Sequence, residues 1–353
     1  MRGGGESVRS PALSGLDLAR RLQGLALDRL GYGPQPTPSR KVRQVGAAEL
    51  LAYAPGRSGP AVLIVPAPIK TPYIWDLAPG SSVVQRLLEA GLQVFLVAWR
   101  RPLPGDEALG LDDYVEHALG GCMQVLRQET GEAGAFLAGH SLGGTLAAIY
   151  ASLHPEGVRG MIALEAPIAF GAGRFEAAAA AAPPAQAITR RLGNVPGSFL
   201  DMASAAADPL TFHAEPFTDW LRSSVSARAR RLHWQVRRWT LDESPMAQRL
   251  FEEVDEALYR GNRFMCGELR VAGRLADPSA IKAPIVAVLD RRSRIVPPAS
   301  IEAYRTHTGS KDVEILEYPG DTGVVMQHVG VLVGPNAHAH LWPRLCAWLA
   351  SRC

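Results

Sequence analysis

Ala135-Phe136-Leu137-Ala138-Gly139-His140-Ser141-Leu142-Gly143-Gly144-Thr145-Leu146-Ala147-Ala148 is the stretch on which the reading of this chain turns. Its first four residues are an apolar run of the kind a buried strand uses, and the residues after Ser141 have the small, apolar composition of a packed helix. Between them Gly139, Ser141 and Gly143 give the spacing G-x-S-x-G. A serine on so sharp a strand-to-helix turn needs neighbours without side chains, which the two glycines supply. The pentapeptide alone recurs by chance; the strand before it and the helix after it give it weight.

Outward from this point, apolar runs alternate with helical periodicity. Ala61 to Val65 and Gln93 to Trp99 read as strands around a helix from Val83 to Ala90. A helix from Leu111 to Thr130 leads into the quoted strand, a helix from Leu142 to Leu153 leaves it, and Met161 to Leu164 reads as the next strand. This grammar predicts an α/β fold with a mostly parallel sheet between helices. After Phe170 the rhythm stops for about a hundred residues, with an Ala/Pro stretch from Ala177 to Ala187 and no strand-like run, which predicts a helical cap. The sheet resumes at Pro284 to Leu289 and Val313 to Tyr318, and a helix from Ala337 to Ser351 closes the chain. At the other end, residues 1 to about 15 read as a flexible leader and Leu16 to Leu30 as an amphipathic helix stopped by Gly31, Gly33 and Pro34. The expected division is 1-42 leader and helix, 43-170 first part of the core, 171-275 cap insertion, and 276-353 second part of the core.

With 353 residues, 47% hydrophobic and 20% charged, the composition is that of an ordinary globular protein. A net charge of +3 gives no reason to expect nucleic acid, and the cluster Arg228, Arg230, Arg231, Arg237 and Arg238 reads as a solvated helix face. No stretch has the continuous apolar length of a membrane span, and the polar start of the chain lacks the apolar segment of a secretory signal. Cys122, Cys266, Cys346 and Cys353 have no metal-type spacing, so a reducing, cytoplasmic setting is expected. No phosphate loop, dinucleotide fingerprint or metal cluster appears, and no cofactor is implied.

A serine hydroxyl attacks an acyl carbon only when a base takes its proton, and that base is usually a histidine steadied by a carboxylate. In this chain order the histidine comes last. His328, in Met326-Gln327-His328-Val329-Gly330, follows the last strand and is the first candidate; His338 and His340 lie on the closing helix, where packing or surface roles are common. His140 is expected to pack or hydrogen-bond locally. Backbone N–H groups must hold the oxyanion; the residue after the nucleophile is Leu142, and in Pro66-Ala67-Pro68-Ile69-Lys70 the prolines leave Ile69 and Lys70 as donors, Ile69 in the expected position.

The elbow and its flanks resemble the α/β-hydrolase fold, and from about Arg43 onward the chain resembles one of its families, the polyhydroxyalkanoate synthases. Pro72 to Leu77, Val94 to Trp99 and Leu111-Asp112-Asp113-Tyr114 carry the likeness, with Tyr259, Asn262, Gly267-Glu268-Leu269 and Val271-Ala272-Gly273-Arg274 near the end of the cap. Val296-Pro297-Pro298 and His328-Val329-Gly330 complete it. Members of that family have cysteine at the elbow, where this chain has Ser141, and the position of their triad aspartate is Ser293 here. Another carboxylate must then orient His328. Glu165, in Ala163-Leu164-Glu165-Ala166-Pro167, is the first candidate; it stands at a strand end where certain haloalkane dehalogenases keep their acid, and an unpaired charge in so apolar a run would be costly. Asp290 is the alternative acid and Asp321 the third, with pairing to Arg291, Arg292 or Arg294 as the plainer account of Asp290.

These expectations imply an enzyme that forms an acyl-serine, acting on a small-molecule acyl ester or acyl-CoA or on a polyester. The loss of the cysteine favours an esterase, thioesterase or depolymerase. The resemblance itself implies the alternative, a polymerising acyltransferase using hydroxyacyl-CoA. The missing aspartate suggests a third reading, an inactive subunit associated with a synthase or a polyester granule. A homodimer is compatible with all three.

Overall fold

The computed structural model describes residues 11–54, 56, 58–171 and 173–352. Most of the expected leader, residues 1–10, lies outside that range; Pro11 to Gly15, read as part of it, are instead the start of a helix, Pro11–Arg29. Eight strands form the main sheet: β1 (Ser39–Val45), β2 (Ala48–Tyr53), β3 (Ala61–Val65), β4 (Gln93–Trp99), β5 (Ala135–His140), β6 (Val158–Leu164), β7 (Ile285–Leu289) and β8 (Val313–Glu317). Their spatial order is β1-β2-β4-β3-β5-β6-β7-β8. β1 and β2 form an antiparallel hairpin, β2 is antiparallel to β4, and every later neighbour pair is parallel.

The unbroken apolar runs have a direct cause: helices cover both faces of the parallel strands, so every residue of those strands needs an apolar partner. Val62, Ile64, Phe136, Ala138, Ile162 and Leu164 face one layer of the core. The residues between them, Leu63, Val65, Leu137, Met161 and Ala163, face the other. The hairpin β1–β2 escaped the sequence reading because it follows a different rule. β1, Ser-Arg-Lys-Val-Arg-Gln-Val, is an exposed edge strand with charges on both faces, a composition that discourages further strand pairing.

Between β6 and β7 the chain is mostly helical, but it includes a short antiparallel hairpin, Leu269–Val271 with Arg274–Ala276, where no strand was expected. Of the arginine cluster, Arg228, Arg230, Arg231 and Arg237 are exposed as expected, and Arg238 alone departs from the expectation. Arg238, on the helix Ala227–Thr240, is buried and forms a bidentate pair with Asp28 at 2.7 and 2.9 Å and an ion pair with Asp242 at 2.6 Å. It therefore ties the N-terminal helix to the cap, rather than facing solvent. Among the described residues, no helix is long and apolar enough to cross a membrane.

β3 and β5 are neighbours from which the chain continues to opposite sides of the sheet, and such a reversal opens a crevice at the carboxyl ends of the strands. The quoted stretch sits at this point: β5 ends at His140 and the buried helix Leu142–Leu153 begins one residue after Ser141. The glycines let that helix lie close against the sheet. A Cβ at Gly139 would strike the Gly144 backbone, one at Gly144 would strike Ala166, and one at Gly143 would strike the backbone of Val65 and Pro66. Gly143→Ala should therefore push the helix off β3 and lower stability by about 1–3 kcal/mol, read as a lower urea midpoint with an unchanged slope.

Candidate active site

Ser141 occupies a turn that an L-residue adopts only under constraint, with φ 54° and ψ −135°. Strain of this kind costs about 1–3 kcal/mol and persists only where the surroundings over-determine it. Here they do: the Ser141 amide donates to Leu164 O at 3.1 Å, and its carbonyl accepts from Gly144 at 2.9 Å and Thr145 at 3.2 Å. Ser141 borders a small cavity of about 20 Å³ whose wall combines the polar Thr145 and Glu176 with Leu142, Phe170, Tyr259 and Val296, among others.

Glu165 follows β6 as Ser141 follows β5, also with positive φ (44°). Its side chain is fully buried. Oε1 accepts the Asp290 amide at 2.5 Å, and Oε2 faces His328 Nδ1 at 3.5 Å. The second separation is longer than a fully formed hydrogen bond. Ser293, standing where the resembled family has its aspartate, hydrogen-bonds the Glu165 carboxyl, so that position supports the glutamate instead. Burial pushes Glu165 up to about 8, against the hydrogen bonds from Ser293 and Asp290, and lowers His328 to about 4. At neutral pH the resting pair is thus a carboxylic acid beside a neutral imidazole, and the carboxylate that would steady an imidazolium forms only as Glu165 ionises.

Asp290 is buried too, but its carboxylate is spent on Arg292: Oδ1 accepts the Arg292 amide at 2.8 Å and Nε at 3.0 Å, and Oδ2 accepts Nη2 at 3.0 Å. Asp321 accepts from Tyr318 Oη at 2.8 Å and from the amides of Asn336 and Ala337 at 2.7 and 3.2 Å, which joins the chain after β8 to the closing helix. Of the three carboxylates, the structure brings Glu165 to His328. Among the described residues no hydrogen bond joins the Ser141 hydroxyl to the His328 ring. His338 is a packing residue, buried with Nε2 on Leu332 O at 2.8 Å.

Two features were not anticipated. His140 does not bond locally: its Nε2 donates to the carbonyl of His328 itself at 2.8 Å, and the two rings lie 4.6 Å apart between centroids. Burial, with repulsion from His328, keeps the His140 ring well below the usual histidine range, so it is neutral and fit to hold that carbonyl. The second feature comes from the cap. Both oxygens of buried Asp219, on the helix Glu215–Ser223, accept amides from the loop before His328: Gly323 N at 2.7 Å and Val325 N at 2.9 Å. His233 Nδ1 adds a third contact at 2.7 Å. Burial opposes the Asp219 charge, but His233 and the two amides outweigh it and hold the carboxyl below its usual range. Val325 needs such a clamp, because its φ of 64° is a costly conformation for a β-branched residue. A lone Asp and His about fourteen residues apart carry no sequence signal for this.

The loop after β3, which carries Ile69 and Lys70, is also tied to the helical insertion. The Lys70 amide closes a long turn onto Ala67 O at 3.5 Å, while Ser244 N donates to Ile69 O at 3.0 Å. Lys70 Nζ pairs with Glu243 Oε1 at 2.5 Å and donates to Thr240 O at 3.1 Å. Burial moves both partners toward neutrality, lowering Lys70 and raising Glu243 to about 7, and their mutual attraction opposes it in each. Among the described residues, no group of three His, Cys, Asp or Glu side chains is placed to hold a metal ion.

The α/β hydrolase fold family model matches residues 60–320, and the chain belongs to that family. Within it the chain is polyhydroxyalkanoate synthase-like. It is 31% identical over 82% of its length to the poly(3-hydroxyalkanoate) polymerase subunit PhaC of Haloferax mediterranei, spanning 58% of that protein. Against the polymerase subunit PhaC of a Synechocystis species it is 28% identical, covering 96% of this chain and 90% of the other. Among solved structures, a monoacylglycerol lipase of Paleococcus ferrophilus superposes with a TM-score of 0.56 at 17% identity, over 87% of this chain and 99% of that one. That likeness speaks to the fold alone. The chain is an enzyme of the hydrolase or acyltransferase type.

Glu165→Gln should lower kcat/KM by about two to four orders of magnitude, and Asp290→Asn by less than about ten-fold, since its side chain serves Arg292. The pH profile provides a second check. His328 must be neutral to act as a base, so its lowered value moves the acid limb below 6.5, while ionisation of Glu165 through about 8 lets it stabilise an imidazolium and raises the rate. That alkaline rise should vanish in Glu165→Gln while the acid limb stays. Asp219→Asn sets an NH₂ against one of two loop amides and should cost about 1–3 kcal/mol of stability, seen as a lower Tm together with reduced turnover.

Proposed function

We propose that this enzyme transfers hydroxyacyl groups from coenzyme A thioesters through an ester on Ser141 and extends a polyester, as the name polymerase carried by its relatives suggests. The supporting observation is that Ser141 borders a small cavity of mixed polar and apolar lining beneath the helical insertion, a setting that limits the access of bulk water. In this reading His328 takes the Ser141 proton as Oγ bonds to the thioester carbon, with the amides of Leu142 and Ile69 as donors to the oxyanion. The C–S bond breaks and the departing thiolate receives the proton. The acceptor hydroxyl then loses its proton to His328, its oxygen bonds to the acyl carbon, the bond to Oγ breaks, and Ser141 regains a proton.

Serine in place of cysteine suits the first transfer, because passing an acyl group from sulfur to oxygen is downhill. The same stable ester makes the second transfer harder, and this favours a second reading, in which water is the acceptor and the product is a free hydroxy acid. The inactive-subunit reading gains nothing from Ser293, since Glu165 stands beside His328.

Incubation with 3-hydroxybutyryl-coenzyme A should release free coenzyme A and leave an insoluble polyester. Soluble 3-hydroxybutyrate in its place would establish the hydrolase. A fluorophosphonate probe should label Ser141, and Ser141→Ala should remove the label; no labelling of the wild-type chain would return the inactive subunit to first place.

A further inference from the structure

Glu176 is the one carboxylate among the residues lining the cavity beside Ser141. It stands in the first turn of the helix Arg174–Ala181 and is buried, with 7% of its surface exposed. The backbone of Gly171, of Gly173 and of Glu176 itself hydrogen-bonds the carboxyl, and among the described residues the buried Oε2 has no hydrogen-bond partner. Among the described residues no Lys, Arg or His forms an ion pair with it. The other polar groups of the cavity wall do not satisfy it: Thr145 Oγ1 donates to Pro167 O at 2.7 Å, and the Tyr259 ring is set edge-on to Phe170, 5.2 Å between centroids.

A buried acceptor left without a partner is costly unless something that enters the cavity completes it. The cavity, about 20 Å³, has room for a group the size of a hydroxyl or a water molecule. Burial raises the Glu176 carboxyl above its usual range, against its backbone hydrogen bonds. A carboxyl oxygen can accept a hydrogen bond from a hydroxyl in either of its protonation states.

We propose that Glu176 is a specificity-determining residue whose carboxyl receives the hydroxyl of a hydroxyacyl chain carried on Ser141. This deepens the acyl-transfer reading above and rests on its assignment of Ser141. A site built to bond a hydroxyl strongly rejects the analogue without it, because the buried partner is then left unpaired. Turnover of 3-hydroxybutyryl-coenzyme A and butyryl-coenzyme A is compared by release of coenzyme A, and the readout is the ratio of their kcat/KM values. The wild-type enzyme should favour the hydroxylated thioester by about ten-fold or more, and Glu176→Leu should cut that preference by about ten-fold. Glu176→Gln keeps the volume and part of the bonding, and should reduce the preference about three-fold or more, so it carries the test if the leucine variant does not fold. A wild-type ratio near one, or a ratio that neither variant changes, overturns the proposal and leaves Glu176 as a helix cap with a structural water. If neither thioester is consumed while Ser141 still labels, the coenzyme A reading fails. The same ratio is then taken with the p-nitrophenyl esters of the two acids and decides the role of Glu176 independently.

Discussion

The backbone turn at Ser141 is the constraint on which the rest of this structure depends. An L-residue at φ 54° and ψ −135° does not stay there by preference. It is held because β5 and the helix after it are both immobile, the strand through its ladder to β3 and β6 and the helix through contacts that only glycine permits at 139, 143 and 144. Exposure of one hydroxyl at the crevice is therefore a property of the whole central sheet. The same logic extends to the neighbouring strand, where Glu165 also takes a positive φ and its amide donates to Val288 O at 2.9 Å. Two adjacent strand ends are each bent under constraint, and each bend delivers a polar side chain to one crevice.

The third element works differently. His328 lies on no strand end; it begins a short helix, Gln327–Val333, after an irregular segment. Such a segment has no sheet ladder to hold it, so its position comes from side chains. Asp321 and Gln327 brace it from the core side, Asp219 and His233 from the cap, and His140 through the carbonyl of His328 itself. The cap thus contributes more than a lid. It also touches the loop after β3 through Lys70 and Glu243, so that loop and the segment before His328 both end on the same insertion. A shift of the cap would be felt at both, which gives the helical insertion a mechanical connection to the chemistry.

How much of this was legible in the sequence follows from the range of the interactions. The central strands and the elbow were legible because burial on both faces forces continuous apolar runs, and because the turn forces glycine at fixed offsets. Glu165 was legible as an oddity, a carboxylate in a run that has no reason to contain one. The charged edge hairpin β1–β2 was not, since an edge strand protects itself by looking unlike a strand. Nor were Asp219 and His140 legible in their roles: an aspartate on a helical insertion and a histidine beside the nucleophile become supports only when the fold brings residues from more than a hundred positions away against them. Arg238 misled for the same reason, reading as one more charge in a basic helix until Asp28 and Asp242 are placed around it.

The surroundings of Ser293 show how two adjacent strand ends can serve one histidine. β6 and β7 are paired in parallel register, Leu164 beside Val288, so their ends open onto the same part of the crevice. A carboxylate from either end can then be directed at one histidine. In this chain the β6 end supplies it, the Asp290 amide at the β7 end donates to it, and Ser293 hydrogen-bonds it. The Asp290 carboxylate, freed from any such task, neutralises Arg292 instead. Burial then governs the charge of the pair: with Glu165 raised and His328 lowered, neither partner carries a stable charge at rest, and a proton gained by His328 makes an ion pair only once Glu165 has ionised.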